Sequence, residues 1–550
     1  MYTDSQLVAK YQSAKESHLR WLQIYWEAYR YITPHRDAFG EALEYLDTGI
    51  TNNYQIYNTT APVANTLRAN KLTRMLMPDN QRWGTLELSE ETLDQGILTL
   101  EDVESAQKAI YAHIHDSCLQ QQVQDAFVDV GIGSGAIWMD SPSDEEPLLF
   151  QSVPAFCVMP EFYNGNRIRD LWYIMSASTQ YILDSYPEEE IKKKTSIKAY
   201  LDGSAADAKA VGRASNTHWI IRGIIHDPLE EDEAKRWRIV DMLSCGNKES
   251  REYPIIYDEN FVSKKLVYFR DRVRPGEAQG RGPGIEFLPI IKRLNAICHN
   301  DDTADELRSY PPTEINAMNI NPSMLTDFAG SAVPIGTFGK SLELPASPKV
   351  SEKIEKLQME INEGFSIRPI GNLNQPVRTA EEITQRMEET KETTTIDVSR
   401  FLRESSKPIF ENSFMMLLEK GAIPNSHKWL KVLSTNKKSV VFRYSNPLGD
   451  IEKNNNLLKL EREFQSYQQY LGEGSIMAAF DIAKVQDFRR DNSGLPGTLY
   501  KPGQQLAANM GKALQQQQDA EQQGQQAAGL PTPSTAPQSV NPLTQQGIMI

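Results

Sequence analysis

Residues 270–284 read Arg-Asp-Arg-Val-Arg-Pro-Gly-Glu-Ala-Gln-Gly-Arg-Gly-Pro-Gly, and residues 285–312 continue Ile-Glu-Phe-Leu-Pro-Ile-Ile-Lys-Arg-Leu-Asn-Ala-Ile-Cys-His-Asn-Asp-Asp-Thr-Ala-Asp-Glu-Leu-Arg-Ser-Tyr-Pro-Pro. Gly280, Gly282 and Gly284 with Pro283 predict a tight turn, and a helix over 284–308 opens beyond it. Phe287, Leu288, Ile291, Leu294, Ile297, Cys298, Ala304 and Leu307 recur at helical spacing. Asp301, Asp302, Asp305 and Glu306 band its later turns with negative charge. Pro311 and Pro312 remove amide donors and stop it.

Upstream the chain divides in two. Leu7, Tyr11, His18, Leu19, Leu22, Tyr25, Trp26 and Tyr29 form one apolar-aromatic stripe at helical spacing, ended by Thr33-Pro34. Further helices are predicted over 61–77, 100–115 and 119–130. From about residue 137 the pattern changes to short strands, at 136–139, 148–153, 171–176, 218–226, 236–243 and 266–270, with a helical insert at 178–186. The runs Trp219-Ile220-Ile221 and Ile224-Ile225 are β-branched enough for central strands.

Downstream, helices continue to about residue 486, broken at 309–349 and 368–378. Thr379-Ala380-Glu381-Glu382 has capping-box spacing. A helix from there to 419 would span roughly 60 Å, with a kink expected at Pro408. Residues 438–444 read as a strand and 451–471 as a helix. After Pro502 the composition collapses into Gln, Ala, Gly, Pro and Ser, which cannot build a core and reads as disordered.

Composition bounds the function. The chain of 550 residues carries a formal charge of −15, the wrong sign for tight gripping of phosphate backbone, although an acidic wall lets nucleic acid slide past. No apolar run reaches the ~18 residues of a membrane span, so no membrane partner is expected. The first residues lack the basic-then-apolar layout of a signal peptide. Cys118, Cys157, Cys245 and Cys298 lie far apart and read as buried thiols of a protein made in a reducing cytoplasm. No cofactor or metal is expected.

Two glycine runs imitate nucleotide sites. In Gly131-Ile132-Gly133-Ser134-Gly135 a helix precedes and a strand follows, the reverse of a dinucleotide fingerprint; these glycines read as a helix end in left-handed conformation. Gly336-Thr337-Phe338-Gly339-Lys340-Ser341 holds Pro334 where a phosphate loop needs its first glycine, and Leu342-Glu343-Leu344-Pro345 is no helix. His113 and His115, two apart, face different sides of a helix, and His226-Asp227 before Pro228 reads as a turn. Nothing here points to an enzyme.

The run Pro275-Gly276-Glu277, Gly280-Arg281-Gly282-Pro283-Gly284, Leu288-Pro289, Ile291-Lys292, Leu294-Asn295 and Pro311-Pro312 resembles, in order and spacing, the bacteriophage head-to-tail connecting (portal) protein family of short-tailed phages. Ala64-Asn65-Thr66-Leu67 through Leu76-Met77-Pro78 to Trp83 is similar to the family's early helix, and Arg378-Thr379-Ala380-Glu381-Glu382-Ile383 to the start of its late long helix. Ala278-Gln279 departs from the aromatic-glycine usual before the arginine of this turn.

The resemblance implies an α+β, mainly helical portal fold in a dodecameric ring. By pattern, 1–280 is wing, 281–308 the first stem helix, 309–349 the clip and 350–366 the second stem helix. Residues 367–378 are a tunnel loop, 379–446 a long wing helix and strand, 447–502 a crown or C-terminal helical region, and 503–550 the glutamine-rich tail. Over residues 285–366 there are 12 acidic and 7 basic side chains, so a stem lined with carboxylates should repel DNA over a Debye length of ~8 Å.

Clip residues Met318, Ile320, Met324, Leu325, Phe328, Ile335 and Phe338 are covered either by neighbouring subunits or by the chain's own helices. In the loop, Arg368, Asn372, Asn374, Gln375 and Arg378 are the candidates to face duplex DNA through sequence-independent backbone contacts; the arginines alternatively pair with acidic neighbours. The implied partners are double-stranded DNA, the terminase large subunit, the major capsid protein, a scaffolding protein, a tail adaptor and internal core proteins, at the portal vertex of the virion. The alternative is another phage structural component, such as an internal core or tail-tube protein. A nucleotide-driven motor is disfavoured by the missing phosphate loop.

Overall fold

The computed structural model describes residues 2–34, 56–79, 82–88, 97–163, 167–186, 217–226, 237–245, 251–261, 263–309, 348–365, 400–435 and 440–444, the short runs 313–315 and 332–334, and parts of 197–204 and 457–489. The fold is mixed α+β and mainly helical. The chain divides into units 1–446 and 447–550; in the second, residues 457–466 are helical.

Helix α1 (Asp4–Ile32) starts at a capping box in which the Thr3 amide donates to Gln6 Oε1 (3.0 Å) and stops just before Pro34. Its stripe is core: Leu7, Tyr11, Leu22, Tyr25, Tyr29 and Ile32 are buried. Helix α2 (Thr60–Leu76) precedes strand β1 (Gly84–Leu88), which is followed by α3 (Leu100–Asp116) and α4 (Leu119–Val130). Strands β2 (Ser134–Asp140), β3 (Leu149–Val153), β4 (Val158–Tyr163) and β5 (Arg167–Ser178) come next, then α5 (Thr179–Ser185), β6 (Thr217–His226), β7 (Trp237–Leu243), β8 (Ile255–Phe261) and β9 (Leu266–Arg270).

β4 to β8 form a five-stranded antiparallel meander, in which β5 (Leu171 to Ser178) and β6 pair over eight positions. β3-β2-β9 form a second antiparallel sheet. α1 lies on the meander, with Tyr11 packed against Trp172 and Tyr253 and Tyr29 edge-on to Phe156. β1, β4 and β8 were not legible in sequence. β1 and β8 carry Glu87, Asp258 and Glu259, whose polarity masks the strand pattern.

Beyond β9 come α6 (Pro283–Glu286) and α7 (Leu288–Ser309). The single helix expected over 284–308 is therefore broken at Phe287 (φ −94°, ψ 5°). Pro289 has no amide to donate four residues back, so the ladder fails at that point. Short strands β10 (Thr313–Ile315) and β11 (Ala332–Pro334) pair in parallel inside the segment expected to be irregular. α8 (Pro348–Gly364) returns antiparallel to the chain sense of α7 and packs on it and on α2. The ring of Phe287 lies where a side chain at Gly364 would otherwise sit.

Residues 400–444 fold back onto residues 60–270. α9 (Lys407–Glu419), α10 (Ser426–Thr435) and β12 (Val440–Tyr444) complete the unit, and β12 pairs antiparallel with β1. Phe410 sits among Trp83, Tyr111 and Phe442, and Phe414 against Trp429. Where a kink was expected at Pro408, a wider π turn runs over Leu402–Ser406 immediately before it, an interruption of the α-helical ladder next to a residue with no amide donor.

Two further expectations are corrected. The cysteines are not all buried: Cys157 is, Cys245 and Cys298 are half-buried and Cys118 is exposed, because a polar helix junction leaves Cys118 outside the core. Gly131 is not left-handed but right-handed (φ −58°, ψ −23°); among the described residues only Gly276, Gly421 and Asn425 have positive φ.

Candidate functional site

The loop residues Arg368, Asn372, Asn374, Gln375 and Arg378 and the clip residues Met318, Ile320, Met324, Leu325, Phe328, Ile335 and Phe338 lie outside the described residues, as does the second glycine run at 336–341. The described residues do bring together the motifs that the sequence kept apart, at the base of the α7–α8 pair.

Gly131-Ile132-Gly133-Ser134-Gly135 and Gly280-Arg281-Gly282-Pro283-Gly284 lie backbone to backbone. The Gly282 amide donates to Ile132 O (2.7 Å), the Gly284 amide to Gly131 O (2.8 Å) and the Gly280 amide to Ser134 Oγ (3.0 Å). A Cβ on Gly133 would stand 2.2 Å from Gly280 O, one on Gly280 1.9 Å from Gly133 O, and one on Gly282 2.3 Å from Gly131 O. These glycines serve close backbone approach and not turn geometry. Their shared G-x-G-x-G spacing was the signal that sequence reading missed.

Around this clasp the turn 272–281 is a short hairpin closed by the Arg272 and Arg281 backbones. The Arg281 guanidinium is 2.8 Å from the Glu277 carboxylate, lowering that carboxyl below its ordinary range, and lies 4.9 Å from the centre of the Trp21 ring. The Tyr25 hydroxyl donates to Gly280 O (2.7 Å). Asn65 fills the space beside Gly131 and donates to Val128 O (2.9 Å), so the early resemblance motif also ends here.

The departure Ala278-Gln279 is accounted for. Gln279 is buried and bridges His18 to Tyr268, whose hydroxyl donates to Gln279 Oε1. His18 Nε2 donates to Phe156 O (2.6 Å), which leaves Nδ1 to accept from Gln279 Nε2 (3.2 Å). Both ring nitrogens are satisfied in the neutral form, and burial pushes the imidazole down to about 4.

Charged groups close the underside. Arg68 Nη2 pairs with Asp271 (2.7 Å), Arg400 Nη1 donates to Asp271 O (2.7 Å), and Arg270 Nη2 pairs with Glu404 (2.8 Å) while the Arg270 amide donates to the same carboxylate (3.1 Å). Glu404 sits on the π turn. Three distant segments are thus tied by desolvated ion pairs, costly to form but costlier to break singly. Arg68, Asp271 and Glu404 were invisible in sequence, where a lone charge carries no partner.

The arrangement is a mechanical joint. A cleft of about 910 Å³, lined by Trp138, Tyr173, Tyr186 and Tyr257, has its charges paired internally, Arg222 with Asp241 (2.7 Å) and Lys265 with Asp140 (2.9 Å). Among the described residues no group of three or more His, Cys, Asp and Glu is placed to hold a metal ion, and no helix is long and apolar enough to cross a membrane.

Residues 4–500 match the family model described as bacteriophage head to tail connecting protein. No curated protein matches the chain.

Proposed function

Because this chain belongs to the bacteriophage head-to-tail connecting protein family, whose members are non-catalytic portal subunits of ring-forming assemblies, we propose how its parts conduct the phage genome. The observation that carries the proposal is the joint just described. It anchors one end of α7 and α8 in the core, while residues 299–309 of α7 stand exposed or half-exposed with Asp301, Asp302, Asp305 and Glu306. A stretch with only Ala304 and Leu307 apolar, and with no residue buried within the protomer, fits the wall of a channel. Carboxylates on such a wall repel phosphate at short range, favouring passage over capture.

In this reading α7 and α8 are the stem, 309–349 the clip and 367–378 the tunnel loop, with residues 1–280 and 400–446 as wing. The return of residues 400–444 onto 60–270 supports a wing built from both sides of the stem. A dodecameric ring would occupy one capsid vertex among major capsid and scaffolding proteins, dock the terminase large subunit during packaging, and then hold the tail adaptor and internal core proteins. Arg368, Asn372, Asn374, Gln375 and Arg378 would touch the duplex backbone, and Met318, Ile320, Met324, Leu325, Phe328 and Phe338 would pack between subunits.

Negative-stain imaging of the purified chain should show rings with a central hole; tubes or monomers would overturn the proposal. Substituting both Arg368→Glu and Arg378→Glu should impair packaging or genome retention with rings intact. Normal packaging by that variant would remove the loop from the mechanism.

A further inference from the structure

α2 and α8 each carry an outward stripe that the folded protomer leaves uncovered. On α2 it is Val63, Leu67, Asn70 and Arg74, with Val63 54% and Leu67 49% exposed and Arg74 exposed. On α8 it is Glu352, Lys356, Met359 and Glu363, with Met359 63% exposed and the three charged residues exposed. Both stripes step by four, three and four residues, the spacing of a helix-packing seam, and both run about 16 Å at 1.5 Å per residue.

Chemically they match better in one direction. Laid antiparallel, Leu67 meets Met359 and Arg74 meets Glu352, apolar on apolar and cation on anion, with Asn70 on Lys356 and Val63 on Glu363. Laid parallel, Arg74 still meets an anion, Glu363, but Leu67 meets Lys356 and Met359 meets Asn70. The two helices touch within one chain, but through other faces: Leu357 and Ile361 of α8 are buried. With both helices in place, no described residue covers either stripe, and a neighbouring copy is the cover that a ring supplies.

We propose that the outward stripe of α2 in one protomer packs antiparallel on the outward stripe of α8 in a second copy of this chain. Two different surfaces of one protomer then join head to tail, the kind of contact that closes a ring by rotation. The stripes alternate around the ring, each α8 held by its own α2 on one side and by a neighbour's on the other. This rests on the ring-forming reading above and assigns its contact.

The test uses the full-length chain carrying Leu67→Cys and Met359→Cys, with Cys118→Ser to remove the exposed native thiol. Mild oxidation of assembled protein should give a non-reducing gel ladder of covalent multimers, absent from either single-cysteine chain. Rings without a ladder, or an intrachain disulfide alone, would overturn the seam and leave the portal reading standing. Failure of the unmodified chain to form rings would sink the portal reading and this contact together. Independently, Arg74→Glu should lower ring yield at least tenfold and Glu352→Arg in the same chain should restore it; no recovery would reject the antiparallel register.

Discussion

The two ends of α7 occupy different surroundings. Its first turns bury Leu288, Ile291 and Leu294 against the body, directly beyond a clasp in which backbone meets backbone without room for a methyl group. Its last ten residues carry five acidic or basic side chains outward and bury none. One continuous helix is thus seated in the core at one end and, among the described residues, buries no side chain at the other. The difference separates what a protomer needs to fold from the surface that the proposed channel would use.

The largest effects should come from the seated end. Gly133→Ala or Gly280→Ala drives a methyl into a carbonyl oxygen, and overpacking against backbone should cost about 3 kcal/mol or more. Gly276, at φ +85° with nothing within 4 Å of a Cβ, is the control: Gly276→Ala should cost only ~1–2 kcal/mol from left-handed strain. Urea denaturation of the three variants measures this. Equal losses would mean that the clasp is not close-packed.

Glu404→Gln comes next. It leaves Arg270 buried against a neutral group, for which a loss of about 3 kcal/mol is expected in the same measurement. Little change would show that the π turn is held by packing alone.

Burial of His18 also gives the seated end a pH dependence. His18 titrates near 4 folded against 6.5 unfolded, so its contribution is complete above pH 6.5 and is lost as pH falls toward 4, on the order of 3 kcal/mol. Glu161, raised by burial to about 7, acts oppositely, its contribution present below pH 4.5 and lost as pH rises through 7. His18→Gln should therefore flatten the acid limb of a melting-temperature profile. An unchanged acid limb would remove His18 from it.

The smallest effect belongs to the free end. Neutralising Asp301, Asp302, Asp305 and Glu306 as Asn or Gln should change stability by less than ~0.5 kcal/mol while slowing DNA transit through assembled rings. Unaltered transit would separate the acidic band from the conduit.

The sequence alone determined the helix stripe of α1, the bounds of α4, the β-rich middle and the stop at Ser309, because these rest on local periodicity and on Pro and Gly chemistry. It also carried the family resemblance, since that lives in the order and spacing of residues. What only the tertiary structure decided was partnership. Two glycine runs about 150 positions apart, dismissed or valued separately, become one contact only when their backbones meet. The buried charges Arg68, Asp271 and Arg270, and the half-buried Glu404, look like surface residues until burial and pairing are known. A close approach is a property of two segments, and no window along one of them contains it.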